Sequence, residues 1–336
     1  MNRRRFVQAG MCALALPAHA EPPRLPQRRE FVAPHMGTLW RLVFFEDDAA
    51  KAQAARRAAW ARLEELNARL SDYAEDSELN RLCRERRLEA PSEDLRRVLT
   101  ASQRIAEESG GLFDATIGPL VRLWRAARKE GKLPAPEAIA DAKKRVGWQA
   151  LEIGPREIRF HIKGGQLDLG GIGKGFAQDE VLRLLRERHG ITSALIDAGG
   201  GVSVSGPPPG SAGWRAGVIA ASAEDAAPET TLLLKDLSLA TSGDLHQFVE
   251  IGGVRYSHII DPRTGLGQTR RAQASVAGPD GAIADALTKP CCLLEESEAR
   301  ALLQKHPDAA ARVATEADGG PPRVWQTDSF RALRKS

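Results

Sequence analysis

An α+β fold, a single domain of mixed and largely antiparallel sheets packed with helices, is predicted by three observations. Short apolar strand segments crowd the second half of the chain and are joined by Gly- or Pro-containing turns, with few helices between them. Helical stripes dominate the first half. Neither an internal repeat nor a composition break divides the chain, and 336 residues with 42% hydrophobic content suffice for one large core. Hairpin-joined strands without regular helical crossovers argue against a doubly wound parallel sheet.

Residues 1–20 stand apart. Arg3, Arg4 and Arg5 precede an apolar run from Val7 to Ala18, and Ala18-His19-Ala20 reads as a small-residue cleavage site, so this is a cleavable signal peptide. The pair Arg3-Arg4 before Phe6 fits the twin-arginine form, preferred over an ordinary Sec signal; either form directs the protein to a periplasmic or other extracytoplasmic location. The run is too short to span a bilayer, which leaves a mature protein with no stable membrane span. Its removal lowers the basic count from 48 to 45 against 44 acidic residues, so the basic excess belongs mostly to the signal. No basic stripe with interleaved aromatics remains, which excludes nucleic acid as the expected partner. Cys83, Cys291 and Cys292 are odd in number and form no C-x-x-C pair, which argues against a disulfide framework or a zinc site.

Residues 21–30, rich in Pro and Arg, read as a tether, and residues 31–336 as the catalytic domain. "LWRLVFF" from Leu39 alternates as a strand. Ala49 to Leu70 carries a helical stripe of Trp60, Leu63, Leu66 and Leu70. Ser92 caps a second helix with Leu95, Val98, Leu99 and Ile105 on its apolar face, and Gly110-Gly111 ends it. Later segments, from "LEIGPREIRFHI" through "HQFVEIGGVRYSHII" to "QASVAG", read as short strands, with helices over Lys174 to Arg188 and Ala282 to Leu294.

Four constellations carry chemistry. In "LDLGGIGKGFAQD" a strand ending at Asp168 enters a glycine turn and a helix near Lys174, which aims free amides and a cation at one point. The spacing matches neither a Walker A loop nor G-x-G-x-x-G, and alone it reads equally as a tight turn with a solvated lysine. "SGGLFDATIGPL" sets Asp114 in a Gly-flanked turn near Thr116 and Gly118. "ATSGDLHQFVEIGGVRYSHIIDPRTG" gathers Ser242, Asp244, His246, His258, Asp261 and Arg263. "GPDGAIADALTKP" puts Asp280 in a turn, with Asp285 and Thr288 on one helical face, a pair suited to a hard cation such as Mg²⁺.

Together with "HMGT" (His35 to Thr38), "LSDYAEDSELNRL" (Leu70 to Leu82), "ATSGD" and "ADALT", these motifs stand in an order that closely resembles the FAD:protein FMN transferases, the ApbE family. The resemblance covers essentially the whole mature chain. It implies an ApbE-like α+β domain that binds FAD with Mg²⁺ and moves FMN onto a threonine or serine hydroxyl of an exported flavoprotein subunit, releasing AMP. By that likeness Asp168 and Lys174 contact FAD. Met36, Tyr73, Leu112, Phe113, Asp114 and Ile259 match positions that touch the flavin or adenine. The carbonyl of Gly171 and the side chain of Asp285 match metal-binding positions, His258 matches the acid–base residue, and Asp244 is the weaker candidate to orient it or the acceptor hydroxyl.

One departure matters. The family places a metal-binding threonine four residues after the aspartate matched by Asp285, and here that position is Lys289, with Thr288 one residue early. Either Thr288 reaches the ion through a shifted register, or the Lys289 ammonium takes part of the cation's role. Gly199 to Gly201 also lacks the acidic or amide residue that often follows the glycine pair, and Leu245 stands where an aromatic is common. The alternatives to transfer are hydrolysis of FAD to FMN and AMP, or flavin binding without turnover.

Overall fold

The computed structural model describes residues 25–219, 229–243, 247–317 and 320–334; the expected signal peptide and Asp244 lie outside the described residues. Eight strands form a sheet in which every neighbouring pair is antiparallel. Across the sheet they run Arg28–His35, Thr38–Phe45, Ala194–Asp197, Gly201–Ser205, Leu237–Gly243, Ala272–Gly278, Ala310–Ala317 and Gly320–Gln326, so the order in space is the order in the chain. The long excursions between strands supply the other layers.

Period-two alternation assigns the faces. Trp40, Leu42 and Phe44 point into the main core beneath the helices Ala49–Leu70, Glu93–Glu108, Gly173–His189 and Gly281–Leu293. Val43 points the other way, into a second core closed by the Trp214–Val218 and Thr230–Leu234 hairpin and by Phe330. A third cluster packs the helices Gly118–Glu130 and Pro136–Lys143 against the Phe248–Ile251 and Val254–Ser257 hairpin, with the Trp124 and Tyr256 rings 5.2 Å apart. No helix among the described residues is long and apolar enough to cross a membrane.

Local signals set the helix ends. The Asp48 carboxylate accepts from the Ala50 and Lys51 amides, Ser92 caps through the Leu95 amide, and Gly110 and Gly111 end that helix at φ 64° and 83°. Arg62 then ties three helices together, donating to Asp94 at 2.5 Å and to Glu180 at 2.6 Å. Burial pushes the Glu180 carboxyl up, but hydrogen bonds from Arg183, Arg62 and Arg97 overcome it and hold the group at about 2. This anchors the helix that begins beside Lys174.

The first strand starts at Arg28, inside the stretch read as a tether. Composition hides its partners: Arg28, Arg29 and Glu30 pair in register with Phe45, Phe44 and Val43, and the Arg29 guanidinium binds the Glu46 and Asp47 carbonyls. Its hairpin turns through Met36 and Gly37, both at positive φ (45° and 76°), as a two-residue primed turn requires. "LEIGPREIRFHI" divides into two strands, Leu151–Ile153 and Glu157–Phe160, around Gly154-Pro155.

Candidate active site

The glycine entrance is where two helix N-termini cross. A Cβ on Gly175 would lie 2.0 Å from the Gly281 carbonyl oxygen, so only glycine lets the Gly173–His189 and Gly281–Leu293 helices approach so closely. The crossing is cross-capped. Asp179 accepts the Gly281 amide at 2.7 Å and the Ser238 hydroxyl at 3.1 Å, while Asp285 lies 3.4 Å from the Gly175 amide. Burial, with the charge of Asp280 beside it, raises the Asp179 carboxyl to about 7. Ile172, at the N-cap of the Lys174 helix, offers no side-chain acceptor. Lys174 folds back to the Gly170 carbonyl at 3.3 Å.

One turn along the second helix, Lys289 Nζ binds Asp285 Oδ1 at 2.5 Å and the Asp285 carbonyl at 3.0 Å. The same lysine stem fills the space over the glycine turn, since a Cβ on Gly171 would meet Lys289 Cε and Phe113 Cε2, each at 3.1 Å. Burial pulls the Lys289 pKa down and the Asp285 carboxylate opposes it. Thr288, expected as a metal ligand, faces elsewhere: its hydroxyl donates to the Asp285 carbonyl at 2.6 Å and meets the Ser242 hydroxyl at 2.7 Å. The cause is local, because a helical threonine readily bonds the carbonyl one turn back. A divalent cation therefore does not fit these donors as arranged. Asp285 is occupied by an ammonium, Thr288 is turned away, and no cluster of three or more His, Cys, Asp or Glu suited to a metal occurs among the described residues.

On the other side of the turn, Asp168 accepts the Gly170 amide at 2.8 Å and pairs with Arg125 at 3.1 Å. Burial, then the nearby charge of Asp72, raises the Asp168 carboxyl. Arg125 also donates to Asp72 at 2.6 Å and lies 4.2 Å from the centre of the Tyr73 ring, which is 77% exposed. The guanidinium thus fixes a flat aromatic surface beside the glycine turn. Leu112 and Phe113 are buried, with the Phe113 ring against Gly171. Asp114 uses both carboxylate oxygens on protein, accepting the Thr116 amide and hydroxyl at 2.7 Å each and the Trp148 amide at 3.1 Å, so it holds the turn in shape. The Asp168 amide bonds the Ala115 carbonyl at 2.7 Å and joins this turn to the glycine entrance.

His258 is half-buried and its Nδ1 lies 3.0 Å from the Gln247 carbonyl. That contact calls for a proton on Nδ1 and leaves Nε2 as the acceptor, an assignment inferred from the hydrogen bond. Burial lowers its pKa to about 4, and the positive charges of Lys289, Arg128 and Lys174 reinforce the shift, so the ring is neutral near pH 7. Ile259 is buried, with its amide on the Ser257 hydroxyl at 3.1 Å and its carbonyl on the Gln268 amide at 2.9 Å. Gln268 in turn donates to the Cys292 carbonyl at 2.7 Å, which moors the His258 segment to the Asp285 helix. Met36 connects by a longer route. Thr38 lies against Gly199, Gly200 accepts the Thr241 amide at 2.7 Å, and Thr241 adjoins Ser242.

The fold therefore gathers Phe113, Asp168, Gly171, Lys174, His258 and Asp285 into one cluster, with Tyr73 joined through Arg125. Sequence reasoning missed Arg125 and Asp179. Arg125 sits among several basic residues in "LVRLWRAARK", and nothing local marks it; Asp179 lies five residues after Lys174 and gains its role only from a partner helix.

The ApbE family model matches residues 36–313. The FAD:protein FMN transferase of Klebsiella pneumoniae (strain 342) is 30% identical over 307 residues, covering 89% of this chain and 87% of that protein. That of Treponema pallidum (strain Nichols) is 31% identical over 296 residues, covering 82% and 81%. The solved structure of flavin transferase ApbE from Vibrio cholerae aligns with a TM-score of 0.82 at 26% identity, over 92% of this chain and 99% of that one.

Proposed function

The chain belongs to the ApbE family of transferases, and from that membership we propose that it cleaves FAD and attaches FMN through a phosphoester bond to a threonine or serine of an exported flavoprotein subunit, releasing AMP. The single observation that carries the reading is the convergence of two lysines, a helix N-terminus and a neutral histidine at the crossing of Gly175 and Gly281. The bond that breaks joins the FMN phosphorus to the bridging oxygen, which leaves with AMP, and the bond that forms joins that phosphorus to the acceptor oxygen. Such transfer asks the protein mainly for in-line positioning and for neutralisation of charge on the phosphoryl oxygens.

Lys174 and the amides at the start of its helix supply that at the diphosphate. Tyr73, braced by Arg125, offers a stacking surface for a ring of FAD, and the buried Phe113 ring lies against Gly171 of the glycine turn. His258 Nε2 takes the proton of the incoming hydroxyl, help worth on the order of 10²- to 10⁴-fold in rate. The Asp285 carboxylate is committed to Lys289, and the charge at the diphosphate is met by the two lysines. The apolar run and arginines of residues 1–20 support action outside the cytoplasm on an extracytoplasmic partner.

The test is intact mass. Incubation of the mature protein with FAD and an acceptor subunit bearing a threonine-containing motif should add the mass of FMN to the acceptor, with AMP in solution. Free FMN and AMP without adduct would indicate hydrolysis, and unchanged FAD would indicate binding alone. His258→Ala should bind FAD within about threefold of wild type while transfer falls at least about 10²-fold; parallel loss of both would make His258 structural.

A further inference from the structure

Resting on the flavin-transferase reading, we propose that the Lys289 ammonium is the resident cation of the diphosphate site, so that this chain binds and cleaves FAD without a divalent metal ion. Three observations carry it. First, Lys289 Nζ contacts both the carboxylate and the carbonyl of Asp285, at 2.5 and 3.0 Å, which are the oxygens a cation tethered by this residue would use. Second, its Cδ and Cε occupy the gap between Asp285 and Gly171, 3.6 and 3.1 Å from where a Gly171 Cβ would lie, so the stem fills the volume a hydrated ion would need. Third, the neighbouring hydroxyl of Thr288 is engaged by Ser242 at 2.7 Å and turned from the carboxylate.

The replacement is chemically coherent. An ammonium is a compact point charge with three donors: two rest on the Asp285 carboxylate and carbonyl, and the third is left for a phosphoryl oxygen. Its Asp285 partner fixes it, and Lys174 brings a second positive charge to the same entrance. Two monovalent ammonium groups then match the charge of one divalent ion, delivered without an ion-binding equilibrium. The bond changes are those already written for transfer; only the source of charge neutralisation differs.

The experiment is a calorimetric titration of FAD into the mature protein, in excess EDTA and again in excess magnesium, for wild type, Lys289→Thr, Lys289→Gln and Lys289→Arg, with magnesium uptake by each protein measured by equilibrium dialysis. Wild type should bind FAD with affinities equal within about twofold in the two media and take up no magnesium. Lys289→Thr should lose at least about tenfold in EDTA, recover in magnesium and retain one ion per chain. Lys289→Gln should lose affinity in both media, whereas Lys289→Arg should keep metal independence. Tenfold tighter binding by wild type in magnesium, or a Lys289→Gln protein indistinguishable from wild type in EDTA, overturns the proposal. Absence of FAD binding by wild type in both media would instead refute the flavin-transferase reading itself.

Discussion

Gly173 and Gly175 stand two residues apart at the start of one helix, yet alanine should have different effects at the two, and Gly175→Ala should be the severe one. A Cβ there would stand 2.0 Å from the Gly281 oxygen, 2.5 Å from the Gly281 carbon and 3.0 Å from the Ala282 nitrogen, all backbone atoms that cannot rotate away. Ordinary contact needs about 3.5 Å, so the helices must part by roughly 1.5 Å. That separation pulls the Gly281 amide from Asp179 and the Gly175 amide from Asp285. Overpacking costs about 1–3 kcal/mol and a lost cap about 1 kcal/mol, giving roughly 2–4 kcal/mol together. At roughly 2 °C per kcal/mol for a chain of this size, Tm should fall by about 4–8 °C. Gly173→Ala is the internal control. Its Cβ would meet only Leu169 Cβ at 3.7 Å, so Tm should hold or rise slightly as unfolded-state freedom is reduced. Urea unfolding and scanning calorimetry on the three proteins decide the matter. A Gly175→Ala protein within about 0.5 kcal/mol of wild type, or a Gly173→Ala protein equally damaged, would refute the crossing as described.

Asp179 predicts a pH dependence of stability. Its carboxyl, raised to about 7 by burial and by Asp280, keeps its proton in the folded state while the unfolded chain ionises near 3.8. Stability should therefore fall as pH rises from about 4 to about 7 and level off above that, by at most about 4 kcal/mol. Asp179→Asn should flatten that slope in urea unfolding followed across pH, and unchanged slopes would assign it elsewhere. Arg125→Ala should release Tyr73 from its stacked position and weaken FAD binding about tenfold, as read by quenching of flavin fluorescence. An unaltered Kd would remove the Tyr73 surface from the site.

What was legible in the sequence is what depends on local chemistry. The Ala49–Leu70 helix shows in its apolar stripe, the Ser92 cap and the Gly110-Gly111 stop use bonds within one turn, and the ordered motifs carry the family. The glycine entrance was visible but its cause was not. Gly175 is required by a helix more than 100 residues away in the chain, which no local pattern reports. Thr288 illustrates the converse: its spacing from Asp285 was read rightly as one face, yet a helical hydroxyl prefers the backbone carbonyl to the carboxylate. Arg125 gains its meaning only from Asp72, Tyr73 and Asp168, on two other segments. The Arg28 to Glu30 stretch failed for a simpler reason, since strand pairing is a property of two segments and composition belongs to one.

The sheet's order in space, identical to its order in the chain, is interrupted once on a grand scale: residues 46 to 193 leave between neighbours that pair Arg41 with Asp197. Elsewhere shorter detours separate the neighbours, and this seam is the strand pairing of greatest sequence separation between neighbours in the sheet. Because the Met36 turn lies on the outer side of it, the flank of the site nearest that turn is tied to the rest of the sheet by the pairing of Arg41 to Phe44 with Asp197 to Ala194, across this long excursion, and by its packing on the main core.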